Sequence, residues 1–155
     1  MILFEIDGPP IPLSRPRSCR KGNFVSIYDS QKKEKAQTQW QIKSFYRESP
    51  LSVPLAVELT FYMPIPKMTS KIKKRLMLQG NIHHITKPDI DNLEKYVLDC
   101  MNGIVYTDDS HIDVMVCYKK YSEKPRTVVK IQCLDDFFHE ENKKKQSEEK
   151  NEDKI

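Results

Sequence analysis

"KPDIDNLEKYVLDCMNG", residues 87–103, holds the clearest periodicity in the chain. Leu93, Tyr96, Val97 and Cys100 recur at helical spacing, while Asp91, Lys95 and Asp99 follow one another at i, i+4 and i+8 on the opposite side. Pro88 suits a first turn, where its missing N–H costs nothing, and Gly103 suits the end. The pattern predicts an amphipathic helix over 88–101 with one face on a core.

Outward from that helix, "PLAVELTFYM" at 54–63 alternates Leu55, Val57, Leu59, Phe61 and Met63 with Ala56, Glu58, Thr60 and Tyr62, the two-residue period of a half-buried strand. A short basic helix near 69–78, closed by Gly80, separates the two. "ILFEID" at 2–7 reads as a first strand stopped by prolines, and Lys21-Gly22-Asn23 as a turn within a hairpin or an ordered loop. The stretch after Ser30 lacks Gly and Pro and reads as a helix with an untidy apolar face. Strands near 112–119 and 127–134, joined by "SEKPR", read as an antiparallel pair closing the fold. Interspersed strands and helices imply an α+β (mixed α/β) class: a small mixed sheet with two main helices packed on it.

The 155 residues suit one domain, set at 1–136, followed by a charged, frayed and partly helical tail at 137–155. The tail holds five lysines and six acids, so the body is one unit more positive than the whole chain's +4. That charge is uneven. Residues 8–28 carry Arg15, Arg17, Arg20 and Lys21 without an acid, and residues 64–87 carry Lys67, Lys71, Lys73, Lys74, Arg75 and Lys87 without one. Such runs suit a polyanion but do not prove one, and taken alone they are more ordinarily a solvated lysine-rich surface. Four cysteines without C-x-x-C spacing read as reduced thiols, and no signal peptide or membrane span is legible, so a cytoplasmic protein is expected.

Chemistry concentrates around the helix start. A single first-turn aspartate is explained by the helix dipole, but a cap does not require both Asp89 and Asp91 with a lysine on the outward face, although Asp91 and Lys95 alone could be an exposed i, i+4 pair. "TDDSH", with Asp108 and Asp109, follows a tight exit, "NGIVY", expected to bring a third carboxylate back toward the first turn. Crowded carboxylates call for a divalent cation, and oxygen-only ligands select Mg²⁺ or Mn²⁺. A calcium-loop count from Asp89 puts Leu93, Glu94 and Cys100 at its fifth, sixth and twelfth positions, so that motif fails. His83 and His84 have no zinc spacing; a phosphate contact or general-acid role suits them better.

With these residues in view, "HITKPDIDNLEKYVLDCMNGIVYTDDSHI", residues 84–112, resembles the core motif of the RusA family of Holliday junction resolvases. "LSRPR", "YDSQKKEKAQTQW" and "FYMPIPKMTSKIKKRLMLQG" extend the likeness over residues 2–134, in the form common in prophages. The resemblance implies a RusA-like fold, a small homodimer and Mg²⁺-dependent paired nicking of four-way DNA junctions, with no small-molecule cofactor and no membrane. It assigns Asp89, Asp91 and Asp109 as metal-binding catalytic acids, Asp108 as the less certain half of its pair, and Lys95 as the essential lysine. Arg15, Arg17, Lys73, Lys74, His84 and Lys87 are candidates for DNA contacts. Asn92 is expected to orient a carboxylate or bond the neighbouring turn, and Val97, Met101 and Ile104 are offered as an interface. A nuclease for other branched DNA or RNA, a non-catalytic DNA-binding module and a calcium-stabilised interaction protein stay open beside this reading.

Overall fold

The computed structural model describes residues 1–15 and 17–141; the remainder of the predicted tail, 142–155, lies outside the described residues. Six strands and three helices run in the order β1 (Ile2–Asp7), β2 (Arg17–Lys21), β3 (Phe24–Tyr28), α1 (Lys32–Phe45), β4 (Leu55–Pro64), α2 (Lys71–Leu78), α3 (Ile90–Met101), β5 (Ile112–Ser122) and β6 (Arg126–Cys133). A 3-10 turn, Asp109–His111, leads into β5. Residues 134–141 continue helically from β6, across the boundary predicted at 136. Among the described residues no helix is long and apolar enough to cross a membrane.

The main sheet has the order β1-β6-β4-β5, and β2 with β3 forms a separate hairpin. β4 pairs parallel with β5 and antiparallel with β6, and β6 pairs antiparallel with β1. The α+β class, a mixed sheet with helices, is therefore as expected. The closing strand pair is not: β5 and β6 run in opposite directions, but β4 lies between them. The short loop that suggested a hairpin crosses over the end of β4 instead. Local sequence signals a reversal of direction, whereas the choice of neighbour belongs to β4, whose apolar residues make it the strand to bury in the middle.

One face of the sheet carries the core. Leu55, Val57, Leu59, Phe61 and Met63 of β4 line up with Phe4 and Ile6 of β1 and Val129 and Ile131 of β6, all buried. Leu93, Tyr96, Val97, Cys100 and Met101 of α3 and Ile42 of α1 close over them. The two helices are joined by Thr38 Oγ1 and Tyr96 Oη, 3.1 Å apart, and by Lys35 Nζ to Asp99 Oδ2 at 3.2 Å. Asp99 thus serves packing. Val97 and Met101 are core residues and Ile104 packs against that core, so the interface proposed for them is withdrawn: the stripe faces its own sheet.

The second face is less open than alternation implied, since Ala56 and Thr60 are also buried. The helical residues 134–141 fold over that side, with Lys130 Nζ 3.4 Å from Glu140 Oε2. The untidy face of α1 has its counterpart in Trp40, which points to solvent while Thr38 and Ile42 are buried.

Candidate functional site

α3 starts later than its proline suggests. Asp89 is the N-cap residue, Ile90 the first helical one, and Pro88 precedes both. The Asp89 backbone takes the extended conformation of an N-cap and its carbonyl accepts the first helical bond, from Leu93 N at 3.2 Å. Its side chain makes no capping hydrogen bond. This matters because capping is the ordinary reason for an aspartate at this position. The exposed carboxylate of Asp89 stands at the positive end of α3 without bonding the helix's free N–H groups.

One turn further on, Asp91 Oδ2 lies 3.8 Å from Lys95 Nζ. Both side chains are about three-fifths exposed, at 60% and 61%, so the pair contributes little to stability, and its groups stay accessible to a ligand. Asn92 is only partly as expected: its main-chain carbonyl accepts Leu13 N at 2.8 Å, which binds the segment after β1 to the start of α3. Arg15 follows two residues later, exposed, so the first basic run is brought to the acid-bearing end of the helix.

Asp108 and Asp109 are at the other end. Asp108 accepts the Ser110 hydroxyl, and its backbone carbonyl accepts His111 N at 3.2 Å. The Ser110 hydroxyl foremost, with the Ser110 amide and the Asn102 side chain, holds the Asp108 carboxyl below its ordinary value. Tyr106, buried beneath, donates to the Leu98 carbonyl at 3.0 Å. Its phenol is pushed far upward by burial and then by the charge of Asp109. Both acids therefore belong to the C-terminal end of α3. The helix has 12 residues, so roughly 18 Å separates the two pairs. The exit "NGIVY" does not return toward the first turn: Gly103 N donates to Tyr106 O at 2.8 Å and Leu51 N to Val105 O at 2.9 Å, anchoring it beside the start of β4. Among the described residues no three His, Cys, Asp or Glu side chains come together to hold one metal ion.

The sequence profile described as Endodeoxyribonuclease RusA matches residues 7–132, from the end of β1 through most of β6. This chain belongs to the RusA endodeoxyribonuclease family. The uncharacterized protein YqaN of Bacillus subtilis (strain 168) is 35% identical over 134 residues, which cover 84% of this chain and 94% of that protein. The profile's residues 7–132 span Asp89, Asp91, Lys95, Asp108 and Asp109.

The loop before Asp89 is held by a residue that sequence reasoning missed. Lys119 of β5 donates to the carbonyls of Thr86 and Pro88, each at 2.9 Å. One ammonium thereby clamps the loop that delivers Asp89. Nothing in the sequence around Lys119 signals this, because the contact spans 31 residues and arises from the parallel return of β5 beside β4. His84, in the same loop, is half-buried; its ring packs 4.9 Å from that of Tyr121, and Nδ1 is buried without a well-formed hydrogen bond. Burial first, and then the charge of Lys119, lower its pKa, with its own main chain offsetting part of the effect. The neutral imidazole is favoured.

Among the other DNA-contact candidates, Lys73 and Lys87 are exposed. Lys74 is paired with Glu123 at 2.6 Å, an acid that the β5–β6 loop brings to the otherwise acid-free basic helix. The side chain of Arg17, in β2, lies outside the described residues.

Proposed function

We propose that this RusA-family chain is a Mg²⁺-dependent endonuclease that resolves four-way DNA junctions by paired, symmetric nicks, with Mn²⁺ able to substitute. The observation that carries the reading is the Asp89 carboxylate: exposed, at a helix N-terminus, and not used to cap it. The donor set fits a hard cation, for Mg²⁺ is held by one or two carboxylates completed by water and substrate phosphate. Asp89 and Asp91 would hold it. A bound divalent cation supplies an activated water and neutralises charge on the phosphate during hydrolysis.

The chain's own groups set the rest. Lys119 holds the loop before Asp89, and Lys95 offers a cation next to Asp91 for charge that builds on the phosphate. Arg15, Lys73 and Lys87 supply exposed positive charge for the backbone of the branched DNA.

Asp109, about one helix length away, takes part if a second copy brings it. β5 is an edge strand of 11 residues whose Val114, Met115, Val116 and Cys117 are only half-buried, the kind of apolar edge that pairs with another strand. Antiparallel pairing of two such edges would direct Asp109 of one copy toward the Asp89 end of the other. A homodimer would then complete each site and match the two-fold substrate.

The test is cleavage of a labelled four-way junction beside duplex and flap DNA, with Mg²⁺ and with EDTA. Symmetric Mg²⁺-dependent nicks, lost in Asp91→Asn with junction binding kept, are expected; binding without cleavage by the native protein refutes the reading. Mixing Asp89→Asn with Asp109→Asn tests the shared site. Restored nicking of one strand from two inactive variants is expected, and none if each site lies within one chain.

A further inference from the structure

Beside the Asp89 loop, but outside the acid site, a groove of about 330 Å³ opens between the C-terminal end of α2 and the end of β5. Tyr62, Tyr118 and Tyr121 line it together with Lys119, Lys120 and His83, and no acid of the same chain does. Tyr118 is 46% exposed in the single copy, and its side chain stands on a face of the sheet, which pairing along the β5 edge would extend rather than cover. The Lys120 ammonium stands over the Tyr118 ring, 5.4 Å from its centroid. An aromatic ring and the positive charge above it are thus offered together, within the span of one nucleotide. Lys119 both lines the groove and bonds the Pro88 carbonyl, so the groove adjoins the residue that precedes Asp89.

We infer that this groove takes one unstacked nucleotide of the DNA, its base stacked on Tyr118 and its phosphate against Lys120. The inference rests on the nuclease reading for its substrate class and extends it to a site that the acids do not specify. Aromatic stacking tolerates any base, whereas the lysine supplies the salt-dependent part of binding. Both are needed where a branched substrate leaves bases unstacked, next to the strand to be cut.

The test measures binding of full-length protein to a four-way junction in EDTA, over a salt series, together with photocrosslinking of 5-iododeoxyuridine placed at each nucleotide around the crossover. Tyr118→Ala is expected to weaken binding about ten-fold with the salt slope unchanged, and Tyr118→Phe to restore it, since stacking needs the ring and not the hydroxyl. Lys120→Gln is expected to lower the salt slope by about one. One crosslink position should map to Tyr118. Binding by Tyr118→Ala within two-fold of native, with no crosslink at Tyr118, overturns the groove while leaving cleavage and the nuclease reading intact. A Tyr118 crosslink in a protein that cuts no DNA in Mg²⁺ keeps the groove and overturns the nuclease reading.

Discussion

Replacing Lys119 by methionine removes an ammonium while keeping most of the aliphatic stem, so it isolates the two bonds to Thr86 and Pro88. Each is 2.9 Å long, one at an exposed and one at a partly buried position. Hydrogen bonds to a charged group are worth about 1.5–3 kcal/mol each, but water replaces the exposed one in large part, so the net loss is about 2 kcal/mol. For a chain of 155 residues that corresponds to a fall in Tm of about 4–8 °C. The catalytic effect is separate, because the freed loop carries Asp89 at its end. A misplacement on the order of 1 Å costs about a hundred-fold in rate, so kcat is expected to fall by between ten- and a hundred-fold while junction affinity and its salt slope hold. The assay is single-turnover junction cleavage beside thermal unfolding and a salt series. Unfolding within about 1 °C of native, well short of the shift worked above, with cleavage within about two-fold, would refute the clamp. A changed salt slope would instead make Lys119 a phosphate contact.

Other outcomes follow from the core and from His84. Leu93→Ala, at a fully buried position where α3 meets the sheet, should cost about 2–5 kcal/mol, read as a lower denaturant midpoint at unchanged m-value. The lowered pKa of His84 means that the unfolded chain binds more protons than the folded one below the ordinary value of 6.5, so stability is full above that pH and declines as pH falls through the window beneath it. His84→Gln should flatten this decline in denaturation curves collected from neutral to mildly acidic pH. In the Lys119→Met protein the His84 titration followed by NMR should move upward, since one of the charges that depress it is gone.

Most elements were legible because each is set by local periodicity and punctuation. β4 announces itself through five alternating apolar residues, α3 through its stripe, and the β2–β3 hairpin through Gly22, whose φ of +62° is a conformation that glycine adopts without strain. The acids and Lys95 were legible as a candidate site, since paired carboxylates and a cation at fixed spacing form a local pattern. Their arrangement was not. The tight exit from α3 suggested a return toward its first turn, but Tyr106 packs beneath Leu98 and its bonds tie the segment to the opposite end.

What the sequence determined by itself, then, is the set of helices and strands, the class of the fold and the residue types of the site, all of which depend on neighbours a few positions apart. Tertiary structure decided which strand lies beside which, that β4 separates β5 from β6, that Lys119 holds the loop before Asp89, and that the two acid pairs sit at opposite ends of one helix. These depend on contacts between residues far apart in the chain. A pattern of apolar and charged residues specifies which face is buried, but only the packed sheet settles what that face is buried against.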